Sequence, residues 1–271
     1  MNLKKSIEEI DLVFFDLETT GLKAEDGDSI CEIGALKVRT VNIIDKFYSL
    51  VNPKKSVPYE AYRIHKISDE ELHNAPYFEE VIEKFLQFLH NSVVCAYNAE
   101  FDMDFLNQEL SRIHYPPLEL PVLDILSMAR KTIRLPRYNL AAIISFFHIE
   151  TKASHRALED AYGTLQAFFK LKETVKGRGL DSLQDFISLY GLNNKVFRLQ
   201  EKPKILLLKE AITKGVFIDI RYFSYESIVE HQKVKPIHLS RENNNFYLWC
   251  RSAKDAHCRI QLNRILAIDI V

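Results

Sequence analysis

Asp16-Leu17-Glu18-Thr19-Thr20-Gly21 follows the apolar run Leu12 to Phe15, and Asn98-Ala99-Glu100-Phe101-Asp102 follows a second run, Val93 to Ala96. Far downstream, His155-Arg156-Ala157-Leu158-Glu159-Asp160-Ala161 adds a histidine and another acid. Four carboxylates (Asp16, Glu18, Asp102, Asp160) and one histidine could hold two divalent cations and supply a general base. Those are the parts needed to hydrolyse a phosphodiester. Such an ester is anionic and repels hydroxide. Two hard cations about 4 Å apart relieve this by clamping the attacking and leaving oxygens. Hard cations favour oxygen ligands, and Mg²⁺ usually keeps several waters, so few carboxylates suffice. A histidine of near-neutral pKa can take a proton from water.

The chemistry requires particular elements beneath it. Asp16 and Glu18 are two apart, so on a strand they point to one face. Gly21 permits a turn close to a ligand. His155 and Asp160 stand at the start of an apolar-periodic helix (Leu158, Ala161, Leu165, Phe168, Phe169). Five residues separate them by about 140° around a helix, so they meet at one site only if His155 lies on the first, frayed turn. Each piece alone has a plainer reading. Asp-x-Glu reads as a solvated strand end, Asn-x-x-Phe-Asp as a helix cap, and His-x₄-Asp as surface. Their order, and their placement at strand ends, favours the site.

Strand-like runs are Leu12–Leu17, Ile30–Val38, Ile43–Val51, Val93–Ala96 and Val122–Ile125. The first and fourth are nearly continuous apolar runs, as buried central strands are. Helical periodicity marks Phe78–Leu89, Phe101–Ile113, Leu140–Phe147 and Ala157–Leu171. Three closely spaced strands followed by alternating helices and strands predict a mixed α/β sheet.

Residues from about 10 to 175 resemble the DEDDh 3′–5′ exonucleases, the group of the proofreading epsilon subunit of bacterial replicative polymerases. The matching stretches are Phe14 to Leu22, Ile64-His65-Lys66-Ile67-Ser68, Ala96 to Asp102 and His155 to Ala161, with smaller echoes at Val122-Leu123-Asp124 and Tyr138-Asn139-Leu140. The resemblance implies a ribonuclease H-like fold with a mixed five-stranded sheet and flanking helices. It implies that Asp16, Glu18 and Asp160 bind metal, with Asp102 completing the acidic set and His155 as the base. It implies two Mg²⁺ or Mn²⁺ ions. Thr19, Gly21, Leu22, His65, Asn98 and Phe101 would contact the 3′-terminal nucleotide. Tyr97 stands where the family usually has histidine, and Lys66 where it usually has glycine. Neither departure removes a catalytic group, but both bear on how the terminal nucleotide is held.

The length of 271 residues allows one large or two ordinary domains. Hydrophobic content of 47% and charged content of 27% fit a globular protein rather than a disordered or membrane-spanning one. A net charge of −1 does not advertise nucleic acid, but bound metals supply local positive charge. Cys31, Cys95, Cys250 and Cys258 lack paired metal-site spacing. Cys31 and Cys95 read as core, which predicts a reducing compartment and no disulfide framework. The start, Met1 to Glu9, mixes Lys with Glu and reads as neither a signal peptide nor a span. The expectation is a cytoplasmic protein with no membrane association.

The exonuclease-like part is expected over residues 1–176. Residues 177–204 read as a linker carrying one helix, punctuated by Gly177, Gly179, Gly191 and Asn193-Asn194 around the amphipathic piece Leu183 to Tyr190. That piece faintly resembles the sliding-clamp peptide of polymerase-associated proteins, and a helix packed between domains is the plainer reading. Residues 205–271 form a second unit: a helix, Ile205–Ile212, then strand-like runs Val216–Phe223, Lys233–His238, Asn245–Cys250, Cys258–Leu262 and Ile265–Ile270. Short strands close together suggest a small barrel. Residues 203 to 271 carry 11 Lys or Arg against 7 Asp or Glu, so the basic surplus lies outside the catalytic part.

This tail resembles a WYL domain, a small SH3-like β-barrel of bacterial regulators. Its matches are Leu208, Ala211-Ile212, Ile220 to Tyr222, Val234-Lys235-Pro236, Phe246-Tyr247-Leu248 and Arg259 to Ile265. The family implies ligand sensing, often of nucleic acid or nucleotides. Gln261 replaces an arginine usual there, although Arg264 matches. Arg221, Arg259 and Arg264 could contact phosphates, as could Lys233, Lys235 and Arg251. Tyr247, with Tyr222 and Trp249, could stack on bases as a second nucleic-acid site. Alternatively, the aromatics fill the barrel and the basic residues coat it.

The leading expectation is therefore a metal-dependent 3′–5′ exonuclease acting on single-stranded nucleic acid with a free 3′ end, DNA as the first choice. It would release nucleoside 5′-monophosphates, with replication or repair proteins as candidate partners. The rival is a non-catalytic end sensor or regulatory binding protein. All five catalytic positions are filled, which favours the enzyme. No Gly-rich phosphate loop supports an ATP-driven or nicotinamide enzyme.

Overall fold

The computed structural model describes residues 1–151, 155–180, 182–192, 195–242, 245–252 and 256–270, with the side chains of 195–201 outside the description. Asn193-Asn194, read above as linker punctuation, lie outside the described residues. The chain divides into two compact units, one holding Lys5–Thr174 and the other Asn2–Lys4 with Val175–Val271.

The first unit is built on a five-stranded mixed sheet. Its strands are β1 (Leu12–Thr19), β2 (Ile30–Arg39), β3 (Asn42–Leu50), β4 (Val93–Ala96) and β5 (Val122–Asp124), in the order β3-β2-β1-β4-β5. β1, β2 and β3 pair antiparallel, and β4 and β5 join parallel to β1. The expected mixed sheet is present. The helices are α1 (Tyr59–His65), α2 (Asp69–His73), α3 (Phe78–Leu89), α4 (Ala99–Arg112), α5 (Ile125–Thr132), α6 (Leu140–Phe146) and α7 (Ala157–Val175). α1, α2 and α5 are not among the helices expected from periodicity. Local chemistry marks two of them: Ser68 and Glu71 form a capping box on α2, and Asp124 caps α5.

β1 is buried along its length because helices cover both faces. Phe14 packs on Phe168 of α7, with ring centroids 5.3 Å apart. Phe15 points the other way, to Phe85 of α3 at 6.1 Å. The alternation of a strand then fixes the outcome two residues on: Asp16 and Glu18 share the α7 side with Phe14.

The second unit contains α8 (Leu183–Tyr190), α9 (Lys195–Lys214) and an antiparallel sheet of β6 (Ile218–Phe223), β7 (Val229–Glu242), β8 (Asn245–Ser252), β9 (His257–Gln261) and β10 (Ile265–Ile270). Its order is β10-β6-β7-β8-β9, with no ladder joining β9 to β10 among the described residues. Leu208 and Ala211 of α9 pack with Ile218, Ile220, Val234, Leu248 and Ile260 to form its core. Two readings change here, and the clamp-like piece takes its plainer form of a packed helix. The stretch 177–204 holds α8 and the first half of α9, which runs through Pro203 rather than starting after it. The clamp-like piece is core, with Leu183, Phe186, Ile187, Leu189 and Tyr190 all buried. A disulfide links Cys250 to Cys258, contrary to the expectation of none. These cysteines are opposite rungs of the β8–β9 ladder, a proximity their spacing of eight does not reveal. Cys31 and Cys95 are free and buried, as read. No helix among the described residues is long and apolar enough to cross a membrane.

Candidate active site

Glu18 and Asp160 are both nearly buried, and one ligand atom from each lies within 4.8 Å of the other and of the His155 imidazole. His155 sits outside α7, two residues before its first turn, with a left-handed backbone (φ 52°). That placement lets it share a site with Asp160 despite the unfavourable helical angle. Asp102, in the first turn of α4, is buried beneath β1 and accepts a hydrogen bond from the Leu17 backbone at 3.1 Å. Asp16 completes the group, close enough to feel Asp102, Glu18 and Asp160.

The electrostatics show what this cluster demands. Burial raises the Asp16 carboxyl well above its ordinary range, and repulsion from Asp102, Glu18 and Asp160 adds to it. Burial, then repulsion from Asp160 and Glu32, pushes Glu18 up to about 8. Burial pushes Asp102 up to about 8 against the Leu17 hydrogen bond. Asp16 and Glu18 accept no hydrogen bond from any described residue. Oxygen donors without protein partners, forced to hold protons, fit a hard divalent cation.

Glu32 on β2 is the contrast, and the sequence reading missed it. It pairs with Glu18 across the β1–β2 ladder and is fully buried. Its Oε1 accepts from Arg156 Nη2 at 2.6 Å and Nε at 2.9 Å, and from the Tyr48 hydroxyl at 2.9 Å. Its Oε2 accepts from the Ala157 backbone N–H at 2.7 Å. Oε1 thus takes three donors and Oε2 one, which makes Glu32 an anchor for the start of α7. The available signal was an acid inside the apolar run Ile30 to Ala35. Gly34, opposite Asp16 on the same ladder, is the second missed residue. A Cβ there would lie 2.2 Å from the Leu158 backbone nitrogen, so glycine lets α7 rest directly on the sheet.

The residues expected to contact the terminal nucleotide sit on several elements of this unit. Thr19 donates from Oγ1 to the Gly21 carbonyl at 2.6 Å. Gly21 has a close-approach role of its own, because a Cβ there would meet the Asp28 carboxylate at 2.2 Å. Leu22 is largely exposed and, with Phe101 and Phe105, lines a cleft of about 460 Å³. Asn98 caps α4 in the left-handed region, its backbone N–H donating to Asp124 at 3.1 Å. His65 is buried, its Nδ1 accepting from the Ile67 N–H at 3.0 Å and its Nε2 4.0 Å from Cys31 Sγ. Burial holds it below the usual histidine range. The two departures have local explanations. Tyr97 donates to the Tyr138 carbonyl at 3.1 Å. Lys66 caps α1 at φ 61°, a conformation that favours glycine.

The second-unit candidates have partners of different kinds. Arg221 is ion-paired to Asp185 at 2.8 Å, and Arg264 donates to the Phe223 and Ser224 carbonyls, so both arginines brace the fold. Arg259 and Tyr247 do meet: the guanidinium stands 4.0 Å over the Tyr247 ring and pairs with Glu242 at 2.6 Å.

Residues 13–168 match the family described as Exonuclease (RNase_T). A PolC-type DNA polymerase III of Thermotoga petrophila is 33% identical over 189 residues, 70% of this chain. The chain spans only 14% of that polymerase's length. The DNA polymerase III epsilon subunit of Treponema pallidum is 37% identical over 164 residues, 59% of this chain and 76% of that one. Among solved structures, the zinc-ion-bound form of an E. coli ExoI–ssDNA complex superposes with a TM-score of 0.59 at 19% identity, covering 90% of this chain and 54% of that one. With the sheet order, the acidic floor and these matches in place, the chain belongs to the Exonuclease family and carries its metal-dependent, DEDDh-type nuclease domain.

Proposed function

We propose that this protein removes nucleotides one at a time from the free 3′ end of single-stranded nucleic acid, DNA in preference to RNA. The products would be nucleoside 5′-monophosphates. The observation that carries the reading is the pair Asp16 and Glu18, which share the α7 side of the sheet and accept no hydrogen bond from any described residue. Asp16, Glu18, Asp102 and Asp160 would hold two Mg²⁺ or Mn²⁺ ions. Ions held by these carboxylates would supply positive charge against the anionic phosphodiester and Lewis-acid activation. His155, exposed at the rim, takes the proton from the attacking water. Thr19, Gly21, Leu22, His65, Asn98 and Phe101 seat the terminal nucleotide, with Leu22 and Phe101 offering apolar surface to its base. The E. coli complex above holds ssDNA, which supports a single strand as substrate. The polymerase relatives support replication or repair proteins as partners, and a cytoplasmic setting belongs to the same reading. We read the second unit as a WYL-like, SH3-like barrel whose Arg259–Tyr247 pair adds affinity for the strand.

The test is a release assay on 3′-labelled and 5′-labelled single-stranded DNA and RNA, with Mg²⁺, Mn²⁺ or EDTA. The expected result is immediate release of 3′ label as a mononucleotide, a descending ladder from 5′ label, and silence in EDTA. Tight binding of labelled ends with no release in either metal would overturn the enzyme in favour of an end sensor.

A further inference from the structure

We propose that Glu32 is a positioning residue for His155, acting through Arg156 and assisted by Tyr48. The inference rests on the reading of His155 as the base. It names a part of the machinery that touches no substrate.

His155 is exposed and held at positive φ, a conformation disfavoured for a non-glycine residue. Something adjacent must hold it. No described hydrogen bond restrains the imidazole itself. The restraint sits on the next two residues. Arg156 and the Ala157 backbone N–H both donate to the one buried carboxylate, Arg156 through two nitrogens. A guanidinium that donates twice cannot swivel as a single-bonded lysine would. The Tyr48 hydroxyl closes the network, donating to Glu32 at 2.9 Å and accepting from Arg156 at 3.0 Å. Glu32 belongs to the central strands, at the rung that carries Glu18. The carboxylate thus ties the turn bearing His155 to the rung bearing Glu18. Asp160 has independent support, because Phe168 of the same helix packs on Phe14, and the helix start lies against Gly34. Loss of the Glu32 anchor should therefore loosen the imidazole more than the acids.

The experiment is a cycle in the full-length protein, comparing Glu32→Gln, His155→Ala and the double variant. Turnover is read on a 5′-labelled oligonucleotide, metal affinity by Mn²⁺ calorimetry, and folding by melting temperature. Glutamine keeps the shape but replaces an acceptor oxygen with a donor facing donors. The expected kcat loss for Glu32→Gln is about 10–100-fold, within what misplacement of a general base costs. KM and Mn²⁺ affinity should change less than about threefold. In the His155→Ala background the same substitution should cost less than about twofold, since residues acting as one unit are non-additive. A full multiplicative loss in the double variant, or a collapse of Mn²⁺ affinity, would overturn the proposal: Glu32 would then serve the acids or the fold. If Glu32→Gln does not fold, Tyr48→Phe replaces it, with an expected loss of about threefold that also disappears without His155. If His155→Ala alone keeps full kcat, the base assignment fails, an outcome distinct from failure of the anchor.

Discussion

Adding one methyl group at Gly34 should damage catalysis without touching a ligand. An alanine Cβ would stand 2.2 Å from the Leu158 nitrogen and 2.4 Å from the Ala157 carbonyl carbon, where ordinary contact begins at 3.4 Å. The obstacle is backbone, not the far end of a side chain, so no rotamer change relieves it. The start of α7 must retreat by about 1.2 Å, or β2 must bow by the same amount. Overpacking of this kind costs about 1–3 kcal/mol, which in a unit of this size lowers the melting temperature by several degrees. The larger effect is functional. Asp160 and His155 flank the displaced peptide, whereas Asp16 and Glu18 stay with β1. A misplacement of about 1 Å between reacting groups can cost about 100-fold in rate. We therefore expect Gly34→Ala to remain folded, to lose about 100-fold in kcat, and to bind Mn²⁺ more weakly. The assays are oligonucleotide turnover, calorimetry and thermal melting on one preparation. A variant that melts lower but keeps kcat within threefold of the parent would refute the claim that close contact of α7 with the sheet sets the site.

Asp16→Ala should cost at least about 10³-fold in rate, the scale of several kcal/mol supplied by catalytic metal; full activity, or activity that survives EDTA, would sink the assignment. His155→Ala should lose about 10²–10⁴-fold in kcat while Mn²⁺ binding persists; loss of metal affinity instead would make His155 a ligand. Without metal, the raised carboxyls of Asp16, Glu18 and Asp102 bind more protons in the folded than in the unfolded chain between pH 4 and about 8. Stability in EDTA should therefore fall as pH rises across that window, and Mn²⁺ should cancel most of the slope; melting curves at pH 5 and 8 that coincide in EDTA would contradict this. Arg259→Ala should weaken binding to long single strands and reduce the salt slope by about one, leaving kcat on short oligonucleotides unchanged; an unaltered salt titration would remove the second site.

The mixed sheet could be read from the chain because its central strands are long apolar runs, and β4 was placed to the residue. The acidic floor was legible for a related reason, since alternation on β1 forces Asp16 and Glu18 onto one side. What escaped was determined by tertiary proximity. Glu32 looks like any acid in a strand until Arg156, Ala157 and Tyr48 arrive from distant positions. Gly34 looks like a weak strand residue until a helix rests on it. Arg221 and Arg264 looked available for phosphates because sequence does not show which carbonyls and carboxylates already hold them. The helix expected over Ile205–Ile212 is the second half of the longer α9, whose first half lies in the stretch expected as linker. Cys250 and Cys258 likewise become neighbours only through the β8–β9 register.

Glu18 and Glu32 occupy facing rungs of one ladder, are the same residue type, and are both buried. Their fates diverge because four donors converge on Glu32 and none, among the described residues, on Glu18. At Glu18, then, supplying a carboxylate is only half of building a cation site; keeping protein donors away from it is the other half. This gives the fold an unusual vulnerability. A surface-neutral substitution that merely delivered a hydroxyl or amide to Glu18 would convert it into a second structural anchor. Such a variant would gain stability at neutral pH and lose the metal, with all four acids and the histidine still in the sequence. Anyone ranking members of this family for activity by their acidic residues alone would score that protein as intact.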